Sequence, residues 1–298
     1  MKPEPNLIQD VDMSRHTAWR AGGRAKFGFA PASEEDLANF LRDNPCADYP
    51  IFFVGLGSNL LIRDGGISAL LIFTHSGLSD LKIAESESGA EFYASAGVAI
   101  PKLARHSAKM GFEGGEFFAG IPGTVGGALA MNAGCYGSET WEHVTRVKTI
   151  SRHGNIRERV PDEYCIGYRS VKPKFPEDEF FLGGWFRFEN GDGKKAQSKI
   201  KNLLVRRVQE QPLNKPNSGS VFRNPQGDYA ARLIERCGLK DKQVGAARVS
   251  KKHANFIINT GNASANDIEV LIRDIQLEVR SKYGVQLKRE VRIIGEEY

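Results

Sequence analysis

Two glycine clusters carry the chemistry most easily read from this chain. The first, Gly55-Leu56-Gly57-Ser58-Asn59-Leu60, leaves a short apolar run, Ile51-Phe52-Phe53-Val54. The second, Gly120-Ile121-Pro122-Gly123-Thr124-Val125-Gly126-Gly127, runs on to Asn132 and Gly134. Glycines at a strand exit let the backbone turn sharply and approach a ligand closely. Backbone N–H groups in such turns converge on anions, phosphate above all. Ser58, Thr124 and Asn132 add side-chain donors. Two clusters suit a pyrophosphate, which has two phosphates to hold. Neither GxGxxG nor GxxxxGK[ST] is present, so the dinucleotide-binding Rossmann fingerprint and the P-loop are both excluded.

The rest of the chain limits what such a site can serve. The sequence has 298 residues, 41% hydrophobic and 26% charged, which describes a globular protein of about two domains. Cys46, Cys135, Cys165 and Cys237 stand apart, without metal-ligand spacing, so no metal site is expected. No run of about 18 apolar residues exists. The first residues, Met1-Lys2-Pro3-Glu4-Pro5-Asn6, do not read as a signal peptide, and a soluble cytoplasmic protein is expected. Charge is uneven, with 20 basic against 24 acidic side chains over residues 1–190 and 21 against 12 over 191–298. The basic C-terminal third therefore suits an anionic partner. Its charges are scattered and no nucleic-acid-binding motif accompanies them, which favours a phosphorylated small molecule over DNA or RNA.

The elements that must position these residues alternate between strands and helices. Ala69–Phe73, Glu91–Ala94 and Phe180–Leu182 read as further strands. Two helices interrupt the first 190 residues, one capped by Ser33 with Asp36 and one with Pro101 in its first turn and Gly111 as its stop. After the turn-rich Asn190–Gly193, helical spacing recurs from Ile200 to Val208, from Asp228 to Cys237, and from Ser264 to Gly284. Asn255–Ile258 and Val291–Ile294 read as strands. The fold class is α+β, with no internal repeat.

The two glycine clusters closely resemble the FAD-binding loops of vanillyl-alcohol-oxidase-type (PCMH) flavoproteins. Further motifs narrow the resemblance: Thr17–Gly23, Met131–Gly137, Tyr168-Arg169-Ser170, Gly219–Pro225, His253–Phe256 and Glu290-Val291-Arg292. Together with the loops they are similar to the MurB family of UDP-N-acetylenolpyruvoylglucosamine reductases, nearly end to end. The resemblance implies a two-part FAD-binding domain over residues 1–192, divided near 75–80, and a C-terminal α+β substrate-binding domain over 193–298. It implies that FAD is reduced by NADPH and then reduces the enolpyruvyl ether of UDP-N-acetylglucosamine to UDP-N-acetylmuramate, a step of peptidoglycan precursor synthesis. No residue suggests covalent attachment, so FAD is expected to be held non-covalently.

Residue by residue, Gly55, Leu56, Gly57, Ser58, Asn59, Leu60, Gly120, Ile121, Gly123, Thr124, Gly126, Gly127, Asn132 and Gly134 match the FAD-binding positions. Arg169 matches the arginine that stabilises the enolate, Ser220 the serine that donates the proton, and Glu290 the glutamate that holds the developing enol. Asn224, Lys240 and His253 fall where the family contacts the nucleotide, and Arg292 faces the flavin or the substrate phosphates. Only ten residues separate Ser170 from Phe181 and none is tyrosine, so the chain resembles the shorter subtype, which lacks a lid tyrosine. The competing reading is another FAD-dependent oxidase or dehydrogenase on the same fold, which leaves the C-terminal motifs without a purpose.

Overall fold

The computed structural model describes residues 7–43, 45–86, 89–176 and 178–297. The main segments of a first compact unit are Gly28–Gly55 and Leu70–Arg207; those of a second are Gln9–Phe27, Leu56–Ala69 and the chain from Val208 on. No helix among the described residues is long and apolar enough to cross a membrane.

In the first unit, helix α1 (Glu34–Asp43) begins as its cap dictates. The Ser33 hydroxyl accepts from the Asp36 N–H at 3.1 Å, and the Asp36 carboxylate accepts from Ala32 N–H. Helix α2 (Ile100–Lys109) carries Pro101 in its first turn and buries Leu103, Ala104 and Ala108. A third helix, α3 (Val125–Met131), departs from the sequence expectation, because half of the second glycine cluster is helical rather than loop. Thr124 caps it by accepting from Gly127 N–H, and Val125, Ala128 and Leu129 are buried at i, i+3 and i+4. Burial on that face outweighs the weak helix propensity of Gly126 and Gly127.

A five-stranded antiparallel sheet backs these helices, in the order Ile156–Arg159, Val144–Ser151, Glu179–Arg187, Gly89–Ser95, Leu81–Ser86. The parallel pair Ile51–Val54 and Leu70–Phe73 precedes it in the chain. Helix α4 (Gly193–Glu210) starts where the turn-rich stretch ends. Ala196 and Ile200 are buried in the aromatic core of the first unit, with Phe92, Phe117, Phe118, Phe186 and Phe188.

The second unit is built from helix α5 (Ala230–Arg236), helix α6 (Ala265–Tyr283) and the sheet Gln243–Val244, Ala247–Val249, Ile257–Asn259. Ser264 and Asp267 form a reciprocal cap on α6, and Gly284 ends it. Ile268, Leu271, Ile272, Ile275 and Val279 line its buried face, each contributing roughly 1.5–3 kcal/mol of burial. Trp19 and Leu61 join this core. The indole N–H of Trp19 donates to the Ile257 carbonyl at 2.7 Å, and Asn259 donates to the Trp19 carbonyl. Two early segments thus belong with the C-terminal unit.

One core residue makes stability depend on pH. His143 lies among Phe117, Phe118 and Phe188, and burial pulls its pKa below the ordinary 6.5. The unfolded chain therefore takes up a proton that the folded ring refuses. Its stabilising share is complete above about pH 6.5 and is lost as the pH falls below it. His143→Phe is expected to flatten the decline in Tm between about pH 7.5 and pH 5.5. An unchanged slope in a thermal-melt series would remove His143 from the account.

Candidate functional site

The first glycine cluster is held at both ends. A side chain on Gly55 would start 2.3 Å from the Thr124 hydroxyl, so the two clusters meet there and only glycine fits. Gly57 has φ +60, and a Cβ on it would stand 1.9 Å from the His16 carbonyl oxygen. Gly57→Ala is therefore expected to cost more than the roughly 1–2 kcal/mol of a left-handed backbone alone. A fall in Tm with loss of bound flavin colour is the expected readout, and a variant that melts like the parent would contradict this packing. Ser58 accepts through its carbonyl from the Ser218 hydroxyl, and Asn59 donates its amide to the Glu290 carbonyl at 3.1 Å. Leu60 opens the strand Leu60–Ile62, parallel to Arg292–Ile294, with Leu60 opposite Arg292. Arg292 itself is exposed.

The second cluster is more structured. Gly120 ends a 3-10 turn that passes into Ile121, and Gly123 leads to the Thr124 cap of α3. Gly126 N–H donates to the Ala96 carbonyl, which seats the first turn of α3 on the chain leaving Gly89–Ser95. Asn132 terminates α3 in the left-handed region, φ +48. Its amide is committed within the protein, which corrects the expectation of a side-chain donor for phosphate. The amide nitrogen donates to Glu139 at 2.7 Å and to the Gly167 carbonyl at 3.2 Å, and its oxygen accepts from Trp141 N–H at 3.0 Å. Gly134-Cys135 pairs with Ser138-Glu139 around Tyr136-Gly137, both at positive φ, which is the hairpin turn that matches strand twist. Burial pushes the Cys135 thiol up to about 11, so it is not poised as a nucleophile.

Arg169 occupies the tip of a tight hairpin. Tyr164–Gly167 pairs with Ser170–Pro173, leaving Tyr168 and Arg169 as the two-residue turn, with Arg169 at φ +52. Its guanidinium donates to the Asn132 carbonyl at 3.2 Å and the Gly134 carbonyl at 2.6 Å, with Glu139 at 3.8 Å. The structure thus brings Arg169 to the end of the second glycine cluster.

The segments that carry Ser220 and Glu290 lie side by side in the second unit. The segment around Ser220 runs between two others, with Val221 N–H donating to Asn255 and Glu290 N–H donating to Val221 at 2.8 Å. The buried Asn255 amide grips Phe222 on both sides, accepting from its N–H and donating to its carbonyl. Asn217 shapes the preceding turn by accepting from Gly219 N–H. Nothing lies within 4 Å of where a Gly219 side chain would begin, and Ser220 is half-buried. Asn255 lies within a motif singled out in the sequence, yet its role depends on a partner 33 positions away, which spacing does not reveal.

The nucleotide positions are placed unevenly. Asn224 is exposed, and its side chain accepts from Ala230 N–H at the start of α5. Lys240 pairs with Glu235 at 2.5 Å. The His253 ring packs edge-on against Phe256, 4.6 Å between centroids, and burial lowers its pKa. Among the described residues no group of three or more His, Cys, Asp or Glu is arranged to hold a metal.

The glycine clusters fit a flavin dinucleotide. They adjoin at Gly55 and Thr124 and contain no acidic side chain to repel a pyrophosphate. The FAD binding domain family matches residues 25–159. The family described as UDP-N-acetylenolpyruvoylglucosamine reductase, C-terminal domain, matches residues 211–294. A UDP-N-acetylenolpyruvoylglucosamine reductase of Thiobacillus denitrificans is 54% identical, covering 97% of this chain and 92% of that protein. One of Nitrosomonas eutropha is 52% identical over 97% of this chain and 89% of its own length. The crystal structure of the Thermus caldophilus enzyme (MurB) superposes with a TM-score of 0.79 at 27% identity, covering 96% of this chain and 97% of the other. With relatives this similar over nearly its whole length, the chain belongs to the UDP-N-acetylenolpyruvoylglucosamine reductase family.

Proposed function

We propose that this enzyme reduces UDP-N-acetylglucosamine enolpyruvate to UDP-N-acetylmuramate, with NADPH as reductant, for peptidoglycan synthesis. The observation that supports the reading is the backbone bond from Glu290 N–H to the Val221 carbonyl, which lays the Ser220 segment beside the Glu290 segment. FAD, when bound, relays hydride from NADPH to the substrate alkene. The glycine clusters that adjoin at Gly55 and Thr124 would hold its pyrophosphate, and we propose that FAD is bound non-covalently.

Reduction of an enol ether that bears a carboxylate adds hydride at one alkene carbon and spreads negative charge into the carboxylate. Arg169 carries that charge as a fixed cation, held in place by its two backbone carbonyls. Glu290 holds the enol oxygen by a hydrogen bond. Ser220 delivers the proton to the carbanionic carbon; a serine is a weak acid, and transfer is favourable because the carbanion is a far stronger base. Asn224, Lys240, His253 and Arg292 serve the uridine diphosphate. We place the enzyme in the cytoplasm.

An absorbance spectrum tests the reading. The purified protein should be yellow, bleach under anaerobic NADPH and regain colour on adding the enolpyruvyl substrate. Recovery of colour by oxygen alone, with no response to that substrate, would point instead to an oxidase on the same fold.

A further inference from the structure

We infer that Asn132, through Glu139 and its own left-handed backbone, is a positioning residue that sets the Arg169 guanidinium for the reduction step. The inference rests on the charge-stabilising role proposed for Arg169. Three contacts carry it. The Asn132 amide donates to the Gly167 carbonyl, at the foot of the turn from which Arg169 projects. Its backbone carbonyl, turned by φ +48 at the end of α3, accepts from the guanidinium itself. Its amide also donates to Glu139, whose carboxylate stands 3.8 Å from Arg169. Asn132 is 2% exposed, so its amide reaches these partners from a buried position that restricts its movement.

The arrangement addresses a specific difficulty. An arginine at the tip of a two-residue turn has a long side chain and many rotamers, and a misplacement near 1 Å can cost on the order of 100-fold in rate. Asn132 connects the root of the hairpin, the head of the side chain and its counter-charge. Asparagine also tolerates the left-handed backbone that aims the carbonyl, which most residues adopt only under strain.

The test separates the two half-reactions by stopped-flow absorbance of the holoenzyme, with bound FAD and Tm measured alongside. Asn132→Gly keeps the left-handed backbone and removes the grip; Asn132→Asp keeps the shape and removes both donors. Each is expected to slow flavin reoxidation by the enolpyruvyl substrate by about 10- to 100-fold. Flavin reduction by NADPH, which does not use Arg169, should stay within about twofold of the parent rate. Glu139→Gln, which still accepts from Asn132, should recover most of the rate lost in Glu139→Ala. Loss of FAD or equal slowing of both half-reactions would make Asn132 a cofactor-loop residue and overturn the inference. Unchanged reoxidation in the Asn132 variants, with Arg169→Met slow, would overturn it too while leaving the role of Arg169 intact. Unchanged reoxidation in Arg169→Met would remove the reading on which it rests.

Discussion

Ser220→Ala is expected to slow reoxidation of the reduced flavin by the enolpyruvyl substrate by about 100- to 10,000-fold, the range over which positioned proton donors act. Flavin reduction by NADPH and bound FAD should be unaffected, because the hydroxyl has no part in either. The fold should tolerate the change. Ser220 is half-buried, and the bonds that hold its segment come from the backbone of Val221 and from Asn255 gripping Phe222. Anaerobic rapid mixing with substrate made in heavy water gives a second readout, since a proton delivered by serine should show a solvent isotope effect that the alanine variant changes. A variant with full turnover would mean that another group delivers the proton.

Arg169→Met should be nearly as damaging to the same half-reaction, by about 100- to 1,000-fold, the loss seen when one preorganised donor to a developing anion is removed. Methionine preserves much of the aliphatic volume and discards the charge. The expected signature is a fall in the reoxidation rate larger than the change in substrate affinity, because the interaction strengthens as charge develops. Arg169→Lys is a sharper comparison. It keeps a cation but lacks the planar fork that meets the Asn132 and Gly134 carbonyls together, so it should recover only a small part of the rate. If lysine restored full activity, charge alone would suffice and the carbonyl anchors would be incidental.

Much of the local structure was legible because it is coded locally. The Ser33 and Ser264 caps, Pro101 in the first turn of α2 and Gly284 after α6 act over a few residues, and helices stand where these signals place them. Helix α3 escaped notice because its two glycines argue against a helix in any local scan, while the burial of Val125, Ala128 and Leu129 that overrides them is a tertiary fact. Which core a segment joins is likewise not written locally. A turn-rich stretch marks a change of element, whereas the membership of Ala196 and Ile200 in one core and of Trp19 and Leu61 in the other is decided by what they pack against.

The family and its chemistry are written in the motifs alone. Two glycine clusters and six further motifs, each of residue types with a defined task, resemble those of a flavin-dependent reduction of a nucleotide sugar. What the folded chain adds is which of those side chains are already bonded within the protein. Asn132 reads as a donor to phosphate, yet its amide is consumed by Glu139, Gly167 and Trp141. Ser220 and Glu290 lie far apart in the chain, and backbone bonds such as that of Glu290 N–H to the Val221 carbonyl lay their segments side by side. A sequence motif specifies the groups available for hydrogen bonding, but a buried polar group is satisfied by whatever the fold brings within about 3 Å of it, and that is settled only when the chain has packed.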